Sequence, residues 1–228
     1  MYGVPAGGIA GCLGRLMSII SQENALIFRI THIDNVPWLL RNGIHCRNSS
    51  EQDPDFREIG NADLIQKRRT RIVPISPGGT LSDYVPFYFT NHSPMLYNIK
   101  TGHNGMKMTP MADIVMLVSS LHEVAKAGLP FVFTNQHAYP AAAQYFSDLQ
   151  ELHVVDWKII IARDFSRNVN DPGKIERYMA EALIHRHVPV STLLGIACYG
   201  SNPEKRVRGM IEDAGVSMKT AIRSDWYF

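Results

Sequence analysis

The sequence predicts an α+β fold, on the evidence of three features of its 228 residues. Segments rich in apolar and β-branched residues, which are typical of strands, outnumber the predicted helices. Several of these segments follow one another without an intervening helix, and consecutive strands favour an α+β design over an alternating α/β one. Hydrophobic residues make up 45% of the chain and charged residues 19%, which is enough for a sizeable core. We therefore expect one domain over residues 25–228, preceded by an N-terminal extension over residues 1–24.

The first predicted elements are a strand over residues 26–30 and a short helix. In that helix Asn35 is the expected N-cap, Pro37 lies in the first turn and Gly43 is the expected stop. The polar, turn-rich segment 47–58 predicts a loop or a mobile lid.

The remaining predicted elements follow from the same patterns of apolar residues and breakers. Further helices are predicted over residues 61–71, 120–128, 140–152 and 203–214. Further strands are predicted over residues 84–89, 95–99, 113–119, 131–134, 195–199 and 218–222.

The charge balance and the cysteines restrict the class of protein. A formal net charge of +2 permits a nucleic-acid partner without demanding one. The three cysteines, Cys12, Cys46 and Cys198, are scattered and form no CxxC pair. This usage indicates a reducing compartment and argues against a disulfide scaffold or a zinc site. No apolar run approaches the ~20 residues that span a bilayer.

Several common kinds of catalytic site have no signature in the sequence. His185 and His187 are two residues apart, but no further ligands follow at a recognisable spacing, so we expect no metal site. The G-x-S-x-G elbow of hydrolases and the phosphate-binding P-loop are both missing.

Glu181 lies within a run of small apolar residues, and two periods fit that run. At helical spacing an apolar stripe forms and Glu181 faces water. At strand spacing Met179, Glu181 and Leu183 share one face, which places a carboxylate among apolar neighbours. Glu181 could converge with Arg29, the basic run at 67–71, the aromatic segment 83–89 and His137, although each of these has an ordinary structural explanation alone.

Six ordered blocks carry a resemblance to a known family. They are FRITHIDNVPWLLRNGI (28–44), LIQKRRTRIVPISPGGTLSDYVPFYF (64–89), SPMLYNIKTG (93–102), LPFVFTNQH (129–137), RYMAEALI (177–184) and DWYF (225–228). From about residue 27 to the end, the chain resembles the DarT family of bacterial DNA ADP-ribosyltransferase toxins. The resemblance implies an ADP-ribosyltransferase fold, with a split, mainly antiparallel β-core and flanking helices.

The resemblance also implies an activity and partners. NAD is the expected co-substrate and a base of single-stranded DNA is the expected acceptor, either thymine or guanine. A cytoplasmic bacterial protein with a DarG-like macrodomain antitoxin is expected, without a metal or a membrane. Two alternatives remain: ADP-ribosyl transfer to protein, RNA or water, and a nucleic-acid-binding module without turnover.

By motif position, the resemblance assigns roles to individual residues. Arg29, Ile30, Thr31, Asn35 and Arg69 are expected to contact NAD, and Arg29 stands where some relatives carry histidine. Arg69, His137 and Glu181 are the expected catalytic residues, with His137 in the loop that presents the DNA base.

The chemistry of this transfer favours the strand reading of Glu181. Breaking the bond between nicotinamide and ribose creates positive charge on the sugar, which a nearby carboxylate stabilises. A carboxylate on a buried strand does so in a medium of low dielectric constant. It could also accept the proton that the attacking base nitrogen releases.

Overall fold

The computed structural model describes residues 20–228, so most of the predicted N-terminal extension lies outside the described residues. A single sheet of eight strands forms the centre of the described chain. In spatial order its strands are β10 (Thr220–Ile222), β9 (Gly195–Cys198), β4 (Ile114–Ser120), β1 (Leu26–His32), β3 (Tyr84–Tyr88), β7 (Glu181–His185), β5 (Phe131–Thr134) and β6 (Tyr145–Phe146). Neighbouring strands are antiparallel except β9 and β10, which confirms the mainly antiparallel α+β prediction. Strands β2 (Ile44–His45) and β8 (His187–Val188) pair separately.

Successive strand residues point to opposite sides of the sheet, so both faces carry apolar side chains. Helices cover these two apolar faces. In β1, Leu26 and Phe28 pack into one hydrophobic cluster and Ile27 packs into another. The described α-helices are α1 (Val36–Asn42), α2 (Ala62–Arg68), α3 (Pro94–Thr101), α4 (Leu121–Lys126), α5 (Trp157–Ile161), α6 (Lys174–Tyr178) and α7 (Ser201–Ala214).

Helix α1 begins and ends where its sequence predicted. Pro37 lies in its first turn, and Gly43 stops it with a φ of +78°, which favours glycine. Asn35 occupies the N-cap position, but its side chain makes no capping hydrogen bond. The side chain instead makes hydrogen bonds to Thr31 and to the backbone of Arg57.

Two of the predicted elements are wrong. Residues 95–99 belong to helix α3 rather than a strand, because the Ser93 side chain accepts a hydrogen bond from the Leu96 amide and Pro94 fits the first turn. Residues 140–152 do not form an α-helix. Tyr145 instead pairs with Thr134 in the sheet, and a 3-10 helix spans Leu149–Val154.

The sheet is split between β1 and β3. Strand β1 is in register with β4 along its entire length, yet with β3 it shares the single registered pair Phe28 and Tyr88. The Arg29 guanidinium spans part of this split, because Nη1 donates a hydrogen bond to the Pro86 carbonyl at 3.0 Å. The two strands thus diverge from one point, and a cleft lies over them.

Candidate active site

The cleft is formed by strands, helices and one long loop. Strands β1, β3 and β7 form its floor, α1 and α2 contribute walls, and the irregular segment 46–61 closes one side. The polar side chains that line it include Arg29, Thr31, Asn35, Arg68, Tyr88 and Glu181. Concave sites with a few convergent polar groups are the usual location of ligand chemistry.

Glu181 lies on a strand, as the strand reading predicted. It is the first residue of β7, is paired with Tyr88 across β3, and is 1% exposed. Ala182 and Ile184 point to the opposite face of the sheet, into the hydrophobic cluster that contains Ile27. Met179 is not part of the strand, because it ends helix α6 in the preceding turn.

Both carboxylate oxygens of Glu181 accept hydrogen bonds. Arg68 Nη1 donates to Oε2 at 2.9 Å, and the Ala138 amide donates to Oε1 at 3.0 Å. A buried carboxylate is costly unless it is paired and hydrogen-bonded, and these two donors meet that requirement. They also fix the orientation of the carboxylate.

The structure places Arg68, not Arg69, beside Glu181. Arg68 is the last residue of α2 and its side chain is 12% exposed, whereas Arg69 caps the helix and is exposed. Adjacent helical residues differ in direction by about 100°, so only one of two consecutive arginines can face the cleft. Arg68 Nη2 is buried and has no hydrogen-bond partner among the described residues, so it is available to a ligand.

His137 lies near the carboxylate oxygen of Glu181 that Arg68 does not contact. Its Nε2 is 3.6 Å from Glu181 Oε1, slightly longer than a hydrogen bond, and its side chain is 13% exposed. Burial lowers the pKa of His137 below its ordinary value of 6.5, although Glu181 acts in the opposite direction. The imidazole is therefore mainly neutral near pH 7.

His137 belongs to a loop that is tied at several points. We call residues 135–144 the acceptor loop. Its two ends are joined by hydrogen bonds between Asn135 and Gln144. Tyr145 donates its hydroxyl to the Ala138 carbonyl at 2.6 Å, and Arg71 Nη2 donates to the Pro140 carbonyl at 3.1 Å. These bonds hold the Ala138 amide where it meets Glu181, a function that no short sequence motif indicates.

The residues expected to contact NAD occupy different environments. Arg29 and Thr31 face the cleft from alternate positions of β1. The Ile30 side chain packs in the same hydrophobic cluster as Leu26 and Phe28. Only its backbone is therefore left for a contact with NAD. Asn35 and Thr31 are both buried, and the Asn35 amide donates to Thr31 Oγ1 at 2.9 Å.

Burial changes the acid–base properties of two other cleft residues. Desolvation lowers the pKa of Arg29, and nearby Glu58 opposes this effect. Burial and the charge of Glu181 raise the pKa of Tyr88, so its hydroxyl remains a neutral hydrogen-bond donor near pH 7. Tyr88 was not singled out from the sequence, because it is one of several aromatics in its strand.

A protein-family comparison identifies the chain. The family model described as "ssDNA thymidine ADP-ribosyltransferase, DarT" matches residues 28–228. The chain belongs to the DarT family. A DNA ADP-ribosyl transferase from Escherichia coli O127:H6 is 48% identical over 209 residues, which cover 92% of this chain and 96% of that protein. A DNA ADP-ribosyl transferase from Thermus sp. (strain 2.9) is 38% identical, with 90% and 97% covered.

Solved structures of DarT relatives agree with the fold. The chain matches Thermus sp. 2.9 DarT in complex with ADP-ribosylated single-stranded DNA with a TM-score of 0.83 and 35% identity, covering 90% of this chain and 97% of that one. The complex of the same relative with NAD+ matches with a TM-score of 0.80 and 34% identity, covering 90% and 98%. The expected ADP-ribosyltransferase fold and enzyme class are confirmed: the chain is an NAD-dependent DNA ADP-ribosyltransferase.

Proposed function

We propose that this enzyme transfers ADP-ribose from NAD to a nucleobase of single-stranded DNA, with Glu181 at the reacting ribose. The observation that carries the proposal is a buried carboxylate at the end of an open cleft, held by an arginine on one side and the acceptor loop on the other. The Thermus sp. relative that binds NAD+ and ADP-ribosylated DNA supports it.

Glu181 stabilises the ribose as the bond to nicotinamide breaks. Nicotinamide leaves with the bonding electrons and becomes neutral, and positive charge develops on the sugar around C1′. Because Glu181 is already oriented by Arg68 and Ala138, it requires little reorganisation at that moment. A ring nitrogen of the base then forms the new bond to C1′ and releases its proton to a protein group.

Arg68, rather than Arg69, is proposed as the arginine of the site. Nη1 orients Glu181, and the unpartnered Nη2 is free to donate to an oxygen of NAD or of the acceptor base. Arg69 is exposed, and an exposed guanidinium can contact a DNA phosphate.

His137 and the acceptor loop are proposed to receive the base. A neutral imidazole next to Glu181 can accept the proton that the base nitrogen loses, and Glu181 is the alternative acceptor. A base within a duplex cannot reach such a cleft, which accounts for a single-stranded substrate.

Thymidine is the acceptor that we propose, because the family to which the chain belongs is that of single-stranded DNA thymidine ADP-ribosyltransferases. Guanine is the second candidate, since it too has a ring N–H beside a carbonyl group. The test is mass spectrometry of single-stranded oligonucleotides after incubation with NAD, using one series without thymine and one without guanine. Mass gain by ADP-ribose only where thymine is present supports the proposal, whereas modification only where guanine is present replaces thymidine with guanine.

The same experiment distinguishes the alternatives in acceptor. Nicotinamide release that does not depend on DNA, with no modified oligonucleotide, would indicate transfer to water, protein or RNA.

A toxin role with a macrodomain antitoxin is also proposed. A relative from Thermosipho africanus is described as a DNA ADP-ribosyl transferase–DNA ADP-ribosyl glycohydrolase fusion protein, and it supports pairing with an enzyme that removes the modification. Growth arrest upon expression, relieved by a co-expressed DNA ADP-ribosyl glycohydrolase, tests this role. None of the described helices has the length and apolar character needed to cross a membrane.

A further inference from the structure

Asn35 is buried at the edge of the cleft, and its side-chain amide is engaged on both sides. It is 2% exposed. Nδ2 donates to Thr31 Oγ1 at 2.9 Å and to the Arg57 carbonyl at 3.0 Å, and Oδ1 accepts from the Arg57 amide at 2.8 Å. The amide therefore pairs with the Arg57 backbone at two points, much as one strand residue pairs with another.

Arg57 belongs to the segment 46–61, which we call the cleft loop. The cleft loop contains neither helix nor strand, and its residues form one wall of the cleft. Its start is tied by hydrogen bonds from the Cys46 amide to the Arg186 carbonyl and from the Asn48 amide to the Ser82 carbonyl. At the other end of the loop, Asn61 caps helix α2, because its side chain accepts a hydrogen bond from the Leu64 amide. Between these ends, the Asn35 pair holds the loop at Arg57.

A second contact holds the Arg57 side chain at the same place. Its Nε lies 3.0 Å from Asp34 Oδ2, and Asp34 also pairs with Arg206 of helix α7. The guanidinium is largely exposed, so this ion pair is a weak tie in comparison with the buried backbone pair. Asn35 thus ties the middle of the cleft loop to helix α1 and strand β1 through buried hydrogen bonds.

We propose that Asn35 is a positioning residue that holds the cleft loop against the NAD site, instead of contacting NAD itself. This inference rests on the proposed function for the identity of the ligand. The amide has both its oxygen and its nitrogen committed to the protein, which leaves little capacity for a ligand. Loss of the anchor opens the loop, and only the fraction of molecules with a closed loop binds NAD well.

Asn35→Ala should weaken NAD binding more than it slows turnover. If the closed fraction falls to about a tenth, the apparent Kd for NAD and the KM rise about tenfold, because apparent affinity scales with the competent fraction. The kcat at saturating NAD should change less than about threefold, since saturation restores the closed loop. Asn35→Asp keeps an acceptor for the Arg57 amide, so we expect values between wild type and Asn35→Ala.

Hydrogen–deuterium exchange measures how firmly Asn35 holds the cleft loop, and it does not require the enzyme to react. Asn35→Ala should exchange faster in peptides that cover residues 50–59, and addition of NAD should slow this exchange. Ser120→Ala is the matched control, because it removes one capping hydrogen bond to the Glu123 amide at helix α4, and Ser120 does not line the cleft. It should leave both the exchange of residues 50–59 and the Kd for NAD at wild-type values.

Each contrary outcome has a distinct meaning. A weaker Kd with unchanged loop exchange would overturn the proposal and make Asn35 a direct NAD contact. Faster loop exchange with an unchanged Kd would overturn it too, because the loop would then have no part in binding. Calorimetric measurement of the Kd needs no DNA, so failure of the wild-type enzyme to modify DNA counts against the proposed function and leaves this test intact.

Discussion

Arg68 Nη1 lies 2.9 Å from Glu181 Oε2, and this contact joins the end of helix α2 to the start of strand β7. The two residues are 113 positions apart in the chain. Their pairing places a charge-assisted hydrogen bond in a nearly dry part of the cleft, where it is stronger than at the surface.

Arg68→Ala should be far more damaging than Arg69→Ala. Removal of Arg68 eliminates one preorganised charge, and we expect a loss of about a hundredfold in kcat, or ~3 kcal/mol of transition-state stabilisation. It also leaves Glu181 buried without its counter-ion, which typically costs ~3–5 kcal/mol of folding stability. Steady-state kinetics with single-stranded DNA and thermal unfolding measure the two effects.

Arg68→Lys separates the activity effect from loss of folding. Lysine keeps the positive charge but not the planar fork of arginine, so the variant should fold better than Arg68→Ala and remain slow. Arg69→Ala should reduce kcat only slightly and weaken DNA binding, most noticeably at low salt. If Arg69→Ala is slow and Arg68→Ala retains activity, Arg69 and not Arg68 is the catalytic arginine.

Tyr145→Phe should slow the reaction without weakening NAD binding. The change removes the hydroxyl that donates to the Ala138 carbonyl, so the Ala138 amide holds Glu181 less firmly. We expect kcat to fall about tenfold, which equals the ~1.4 kcal/mol of one buried hydrogen bond, with the Kd for NAD almost unchanged.

Tyr227→Phe is the control for this substitution. The Tyr227 hydroxyl is buried and donates to the Ile114 and Ala197 carbonyls, and Tyr227 does not line the cleft. This variant should lose stability and retain the wild-type kcat. Equal kinetic effects in the two variants would mean that the acceptor loop does not position Glu181.

The pH dependence of kcat/KM should show the low pKa of His137. The neutral imidazole is the proposed proton acceptor, so activity falls as the pH drops through the folded-state pKa. Because burial lowers that pKa, the acid limb should lie below pH 6.5, the ordinary value for histidine. His137→Gln should be slower and lose this limb. An acid limb above pH 6.5, or one that survives in His137→Gln, contradicts the assignment.

Much of the fold was predictable because local patterns and tertiary structure agree. Strand β4 has a continuous apolar run and is buried along its length, and α1 has clear start and stop residues. The strand prediction for residues 95–99 is wrong because their composition suits either element, and the Ser93–Pro94 start signal favours the helix. Tyr145 is held in a strand by pairing with Thr134, a distant contact that a local pattern does not contain.

The geometry of the candidate site was predictable in part for a related reason. Glu181 stood out as a carboxylate among apolar residues, and the strand reading placed it on the correct side of β7. The choice between Arg68 and Arg69 depends on where α2 ends, and helix ends are the least certain feature of a sequence-based assignment. The hydrogen bonds of Asn35 to Arg57 and of Ala138 to Glu181 join residues that are far apart in the chain, so no local sequence pattern predicts them.

Glu181→Gln is the decisive variant for the role of this carboxylate, in a single-turnover assay of nicotinamide release and DNA labelling with saturating NAD. Glutamine has nearly the same shape and lacks the charge, so we expect both rates to be at least about a hundredfold slower. The Kd for NAD should remain within about threefold of the wild-type value. Release and labelling at wild-type rates would contradict the claim that this carboxylate stabilises the ribose.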